Sequence, residues 1–143
     1  MQSVLVVANR TSASPTLLDA VSRRAAEGAC SFTLLVPRSP HGLHRVVDPE
    51  DHGHLEAAAA IEHARPLLME AAGGPVIAII GSHDPLAAAE DALNAGRHDE
   101  VIISTLPRRL SRWLHVDLVR KVAGLGLPVT HVEARELALT TQE

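Results

Sequence analysis

The residues best suited to chemistry lie where a short apolar run gives way to hydroxyls and arginines. Val101–Ile103 is β-branched and leads into Ser104 and Thr105, and Arg108 and Arg109 follow after two intervening residues. This pattern predicts a buried strand, a polar turn and the first turn of a helix. Such turns in open α/β sheets bind anions, because backbone amides and the positive end of the helix dipole point at the ligand. Arginine suits phosphate in particular, because its planar guanidinium donates two parallel hydrogen bonds.

A second polar turn follows the first predicted strand, at Asn9 and Thr11. In a doubly wound sheet of order 3-2-1-4-5, strands one and four are neighbours, so both turns line one crevice at the carboxyl ends of the strands. We therefore expect a site for a small ligand there, formed by Asn9, Thr11, Ser104, Thr105, Arg108 and Arg109. The alternative interpretation is a solvated helix face, with Arg109 lying over Trp113 four residues further on.

The glycine-rich motifs that usually bind phosphates are absent from the sequence. The sequence has no Gly-x-Gly-x-x-Gly after its first strand and no Gly-x-x-x-x-Gly-Lys-Ser/Thr, which argues against a dinucleotide oxidoreductase and a P-loop phosphotransferase. Asp84 stands where a helix cap is needed, and Asp117 precedes Arg120 and Lys121 by three and four residues. Both aspartates therefore fit structural roles. No catalytic residue is assigned, and the sequence favours binding over turnover.

Histidines are concentrated in the stretch 37–53, which we predict to be a long loop or lid. His41, His44, His52 and His54 lie there or directly after it, among carboxylates. Imidazole and carboxylate groups can bind a transition metal. A loop seldom preorganises such a site, however, since ligands need partners that hold them in place. A solvated loop is the favoured interpretation, and no metal is expected.

The elements that must position these residues alternate along the chain. Apolar runs predict strands at 3–8, 31–36, 76–80, 100–104 and 128–132, with a helix between each pair. Ser14 and Asp84 each precede a proline and are suited to cap helices. Pro66 lies inside a helical pattern at 54–72 and predicts a kink or break. The alternation predicts one α/β domain over residues 1–143, a three-layer doubly wound five-stranded parallel sheet with helices on both faces. Residues 133–143 form a polar tail, which we expect to be mobile.

The amino-acid composition argues against several classes of binding partner. The chain has a formal net charge of −4, one Phe, one Trp and no Tyr, so it offers neither a polyanion-binding surface nor aromatic platforms for nucleic-acid bases. A single cysteine, Cys30, suits a reducing compartment. No apolar run is long enough to span a membrane, and Met1 leads into a strand pattern without a signal peptide. We therefore expect a cytoplasmic protein without membrane or nucleic-acid partners.

Three apolar segments follow a recognisable pattern, and they are Val4-Leu5-Val6-Val7-Ala8-Asn9-Arg10-Thr11, Asp99-Glu100-Val101-Ile102-Ile103-Ser104 and Leu127-Pro128-Val129-Thr130-His131-Val132. In that order they resemble the opening, fourth and closing strands of the universal stress protein family, which belongs to the adenine nucleotide α-hydrolase-like superfamily. The resemblance spans most of residues 3–132. It implies an α/β fold, an adenine nucleotide as the candidate ligand, a role in the stress response, and a homodimer through the last strand, Val129–Val132.

The chain departs from the family at the phosphate site. Members that bind ATP carry Gly-x-x-Gly, nine residues and Gly-Ser/Thr after the fourth strand, whereas this chain has arginines and Pro107 there, with Asp117-Leu118 in place of Gly-Ser. Asn9 stands where the family usually has aspartate. ATP binding is therefore not implied for this chain.

Two other functions stay open on the sequence alone. One is a nucleotide-dependent hydrolase or transferase of the same superfamily, which needs a general base or metal ligand in the crevice. The other is a dimeric interaction protein with no ligand. A phospho-receiver domain is disfavoured, because it needs acidic residues where Asn9 and Gly81 stand.

Overall fold

Strands and helices alternate along the computed structural model, which describes residues 1–8, 12–38, 49–105 and 116–133, with the backbone alone at 49–54, 116 and 117. The elements are β1 (Gln2–Val7), α1 (Pro15–Glu27), β2 (Cys30–Pro37), α2 (Pro49–Ala72), β3 (Val76–Gly81), α3 (Pro85–Ala95), β4 (Glu100–Thr105), α4 (Val116–Ala123) and β5 (Val129–Glu133). The five strands form one parallel sheet of order β3-β2-β1-β4-β5. The predicted fold class and strand order are confirmed.

Each face of the sheet has its own apolar core. On one face, Leu17 and Val21 of α1 and Leu68 of α2 pack against alternate residues of β1, β2 and β4. On the other face, Ala88 of α3 and Val122 of α4 pack against the remaining set of strand residues. The continuous apolar runs of the central strands are explained by this arrangement, because both faces of those strands are buried.

The helix starts of α1 and α3 agree with the predicted caps. The Ser14 hydroxyl accepts a hydrogen bond from the Leu17 amide at 3.2 Å. The Asp84 carboxylate accepts from the amides of Leu86 at 3.0 Å and Ala87 at 3.4 Å. Each cap satisfies amides that have no partner inside the helix.

Replacing Asp84 by alanine is therefore expected to lower the free energy of unfolding by about 1 kcal/mol, because the first amides of α3 lose their acceptor. Urea denaturation followed by circular dichroism measures this loss. Asp84→Asn should keep most of the stability, and Asp91→Ala, at an exposed position in the same helix, is the matched control. Equal effects of Asp84→Ala and Asp91→Ala would contradict the role of the cap.

The start of α2 corrects the predicted loop 37–53. Pro37 is the last residue of β2, and α2 begins at Pro49, so residues 49–53 are helical. Proline is favoured in the first turn of a helix, because its missing amide would have no partner inside the helix there. Residues 39–48, with His41 and His44, lie outside the described residues, as do the side chains of His52 and His54. The metal hypothesis therefore stays a prediction.

Pro66 was predicted to kink or break α2, and the break is wrong, because α2 runs without interruption from Pro49 to Ala72. Proline removes one backbone hydrogen bond to the residue four positions earlier, which is Glu62. Both residues are exposed, so water can hydrate the Glu62 carbonyl. Burial of Ala64 and Leu68 against the sheet holds the helix in place, since packing supplies most of the stability of a helix in a protein.

Within the part of the chain that the structure describes, no helix is both long enough and apolar enough to cross a membrane.

Candidate ligand site at the carboxyl ends of the central strands

β1 and β4 lie side by side at the centre of the sheet, where the direction of winding reverses. Their register pairs Val4 with Glu100 and Val7 with Ile103. The chain leaves β1 through α1 on one face and approaches β4 through α3 on the other. Open α/β sheets bind ligands in the crevice that forms at such a reversal, outside the carboxyl ends of the strands. The topology therefore fixes the edge on which a ligand site is expected.

Buried hydroxyls occupy this edge. Ser104 is fully buried and Thr105 is 2% exposed at the end of β4, and Ser12, which follows β1, is also buried. Because side chains alternate along a strand, Ser104 shares the face of Ile102 and α1, whereas Thr105 shares the face of Ile103 and α4. Hydroxyls both donate and accept hydrogen bonds, so these groups can bind an anion or a ribose.

Thr105 is held by a residue that the sequence did not assign to the site. Its Oγ1 atom forms a hydrogen bond of 2.8 Å with Nε2 of His131, on β5. The β4–β5 register pairs Ile103 with His131 and Thr105 with Glu133, so the contact is diagonal across the two strands. From the sequence, His131 was noted only as part of the last strand, Val129–Val132, through which the resemblance implies a homodimer. Only the β4–β5 register reveals its contact with Thr105.

The structure places part of the predicted site. Ser104 and Thr105 lie at the carboxyl end of β4, as predicted, and Ala8 extends β1 by donating its amide to the Leu35 carbonyl at 3.1 Å. The remaining candidates are Asn9, Thr11, Arg108 and Arg109, and they lie outside the described residues. Their contribution to the site therefore stays a prediction.

A hydrogen-bonded ion pair lies at the opposite, amino-terminal edge of the sheet. Arg24 of α1 donates to the Glu100 carboxylate at 2.9 Å and also bonds Gln2. The hydrogen bond to Glu100 raises the pKa of Arg24. This pair joins α1 to the starts of β1 and β4 and has a structural role.

A second polar group lies at the same amino-terminal edge. The Ser3 hydroxyl is 3.0 Å from Nδ1 of His98, and the Ser3 amide donates to the Asp99 carboxylate at 2.8 Å. Burial lowers the pKa of His98, and the charge of Asp99 opposes that shift. The imidazole is therefore biased toward its neutral form. The Asp99 carboxylate binds a backbone amide here, so these residues tie β1 to β4 instead of forming a catalytic relay.

Comparison with known proteins supports the fold assignment. No protein-family model matches the sequence, and curated proteins give no significant match. Among solved structures, the chain is similar to a universal stress protein from Archaeoglobus fulgidus, with 14% identity over 92% of this chain and 93% of the other, at a TM-score of 0.64.

Two further structures hold nucleotides. The Archaeoglobus fulgidus protein in complex with dAMP is 15% identical over 92% of this chain and 97% of the other, at a TM-score of 0.61. A universal stress protein family protein from Arabidopsis thaliana with AMP bound is 18% identical over 100% of this chain and 97% of the other, at a TM-score of 0.58. The order of the elements, the parallel sheet and these similarities agree: the chain has the fold of the universal stress proteins.

Proposed function

We propose that this chain is a universal-stress-protein-like regulatory domain that binds a nucleotide or another small anionic ligand between β1 and β4. The observation that carries the proposal is the pair of buried hydroxyls, Ser104 and Thr105, at the point where the winding of the sheet reverses. A hydroxyl donates one hydrogen bond and accepts up to two, so one that already has a partner in the protein, as Thr105 has in His131, can still bond a ligand at this edge. The similar structures with dAMP and AMP bound support the choice of ligand class.

The residues proposed to contact the ligand fall into two chemical groups. Asn9, Thr11, Ser104 and Thr105 supply neutral hydrogen-bonding groups for a sugar or base, and Arg108 and Arg109 supply positive charge for a phosphate. Arginines and Pro107 stand in this sequence where ATP-binding relatives carry the glycines that let the backbone wrap several phosphates. We therefore favour a ligand with one phosphate, such as AMP, over ATP.

Calorimetric titration with AMP tests this proposal. The double variant Arg108→Ala/Arg109→Ala is expected to weaken AMP binding at least about 10-fold, because hydrogen bonds to charged groups contribute about 1.5–3 kcal/mol. Arg23→Ala is the matched control, because Arg23 lies exposed on α1 beside Asp19 and away from the predicted phosphate position. Titrations with ATP and inorganic phosphate separate nucleotide recognition from simple anion binding.

The result can also contradict the proposal. Absence of heat with AMP, ATP and phosphate would favour an interaction protein without a ligand. Conversion of the nucleotide at a rate proportional to protein concentration would instead support a hydrolase or transferase. An equal loss of affinity in Arg23→Ala would show that general charge, not the predicted site, attracts the ligand.

We also propose a homodimer through Val129–Val132 and a cytoplasmic location. β5 lies at an edge of the sheet, and Thr130 and His131 on it are exposed. Pro128, directly before the strand, is tolerated beside an edge strand, where a missing amide costs little. The single Cys30 is compatible with a reducing compartment.

A further inference from the structure

We propose that His131 belongs to the ligand site as a positioning residue, which aims the Thr105 hydroxyl at a hydrogen-bond donor on the sugar or base of a nucleotide. This role rests on the proposed function and extends it to the part of the ligand that Thr105 recognises. His131 lies on β5, which is next to β4 and one strand further from β1. It therefore acts on a ligand between β1 and β4 through Thr105.

The register of β4 and β5 sets the direction from which His131 reaches Thr105. Nε2 of His131 is 2.8 Å from Oγ1 of Thr105, and the parallel register places His131 level with Ile103, two residues before Thr105. The imidazole therefore reaches the hydroxyl from the amino-terminal side. A ligand at the carboxyl ends of the strands approaches from the other side, so the imidazole and the ligand use different bonding positions on Oγ1.

The contact with His131 also orders the Thr105 hydroxyl before a ligand arrives. A threonine side chain has several staggered rotamers, and each one aims the hydroxyl in a different direction. Thr105 is 2% exposed, and its hydrogen bond to His131 stabilises the rotamer that the structure shows. Binding to an ordered hydroxyl costs less conformational entropy than binding to one that must first be immobilised. His131 therefore contributes to affinity through preorganisation.

The hydrogen bond to His131 limits which ligand groups can bond Thr105. Nε2 of a neutral imidazole either accepts or donates, depending on the tautomer. If Nε2 accepts, Thr105 gives its proton to the imidazole and has only lone pairs left for the ligand. If Nε2 donates, the hydroxyl keeps its proton and one lone pair. A ligand group that donates fits both cases, whereas a group that only accepts fits one of them.

The hydrogen-bond donors of a nucleotide lie in its nucleoside part. Ribose hydroxyls and the amino group of adenine donate, whereas a fully ionised phosphate only accepts. Thr105 and His131 therefore fit the sugar or the base, and Arg108 and Arg109 are left for the phosphate. This division predicts that losing the His131 contact weakens nucleotide binding and leaves the binding of inorganic phosphate unchanged.

The backbone already joins the two strands that this side-chain contact connects. β4 and β5 are paired from Val101 and Val129 to Thr105 and Glu133. This ladder holds β5 in place without the side-chain hydrogen bond. We therefore expect variants of His131 to fold, with their effect on the ligand.

A double-mutant cycle, measured by calorimetric titration with AMP, tests the role of His131. Thr105→Val removes the hydroxyl, keeps the shape of the side chain and is expected to weaken AMP binding about 5-fold. His131→Ala leaves the hydroxyl without its orienting partner and is expected to cost about 3-fold. The double variant should lose about 5-fold, because His131 acts through Thr105, whereas independent contacts would give about 15-fold.

Two further variants separate positioning from an effect on the fold. His131→Gln keeps a side chain that donates and accepts hydrogen bonds, so it should restore AMP affinity to within about 2-fold of wild type. Thr130→Ala is the matched control, because Thr130 is exposed on the same strand and its side chain points to the opposite face of the sheet. Circular dichroism confirms that each variant folds.

Titrations with related ligands identify the donor that Thr105 contacts. Inorganic phosphate should bind wild type and His131→Ala equally. Deoxyadenosine monophosphate lacks one sugar hydroxyl of AMP, and purine riboside monophosphate lacks its amino group. Affinity that no longer depends on Thr105 with one of these ligands assigns the contact to the missing group. Dependence on Thr105 with both assigns it to the other sugar hydroxyl.

The outcomes distinguish the role of His131 from the proposed function. A non-additive cycle, together with unchanged phosphate affinity in His131→Ala, supports the positioning role. Additive losses, unchanged AMP affinity in His131→Ala, or an equal loss of phosphate affinity would overturn that role, while AMP binding by wild type would still sustain the proposed function. A wild-type chain that binds none of these ligands would overturn both.

Discussion

Replacing Leu5 by alanine is expected to lower the free energy of unfolding by about 3–4 kcal/mol. Leu5 is fully buried on the central strand, in the core that α3 and α4 cover. Truncation removes apolar contacts and leaves a cavity, and β1 cannot move to fill it because β2 and β4 pair with it on both sides. This is the largest single-residue effect that we expect.

Urea denaturation at constant temperature measures the change, and an unchanged m-value shows that the same surface is exposed on unfolding. Leu55→Ala on the exposed side of α2 is the matched control and should change stability by less than about 0.5 kcal/mol. A loss below about 1 kcal/mol for Leu5→Ala would contradict the tightly packed core described for this face.

Replacing Gly81 by valine is expected to cost about 2–3 kcal/mol through overpacking. A Cβ atom at this position would lie 2.6 Å from the Cβ of Ala88 and 2.9 Å from Cδ1 of Leu35. Ala88 belongs to α3 and cannot rotate away, so the helix itself must shift. Gly81→Ala meets the same contact and should cost about 1–2 kcal/mol, although alanine normally suits a strand better than glycine.

A double-mutant cycle isolates this contact. If the approach of Gly81 to Ala88 is the cause, Ala88→Gly should reduce the cost of Gly81→Ala, giving a coupling free energy above about 0.5 kcal/mol. Gly74→Ala is the matched control in the turn before β3, because a Cβ there meets nothing within 4 Å. Additive effects of the two substitutions would show that α3 adapts without strain.

Much of the fold could be predicted because the local signals in the sequence agree with the burial that the structure shows. The run Val4–Ala8 is apolar at every position, and the structure buries all of it. Ser14 and Asp84 precede prolines, and both are helix caps in the structure. The alternation and the right-handed rule for crossovers predict a doubly wound parallel sheet, whereas its order 3-2-1-4-5 was one of several that these rules permit. These features depend on neighbours in sequence or on general chirality.

Two sequence predictions about α2 failed because tertiary packing outweighed the local sequence signals. Pro66 was expected to kink or break α2, but the helix is unbroken because Ala64 and Leu68 anchor its buried side. The start of α2 at Pro49 was missed because histidines and a glycine weaken the helical pattern there. In each case the local propensity is small compared with the burial of a long helix against the sheet.

The candidate site was predictable only in part. Ser104 and Thr105 were placed correctly because they end a recognisable strand. The contact between Thr105 and His131 was not predictable, because the two residues are 26 positions apart and meet only through the register of β4 and β5. A single sequence carries no direct signal of such a register.

The most direct test of the proposed site is a titration of ¹⁵N-labelled protein with AMP, followed by amide chemical shifts. We expect the largest shifts at the carboxyl ends of β1 and β4, at Ala8, Ser104 and Thr105. The amides of Ser3 and Asp99, at the opposite edge of the same strands, should change little. Unchanged spectra at saturating AMP, or shifts confined to the amino-terminal edge, would contradict the proposed site.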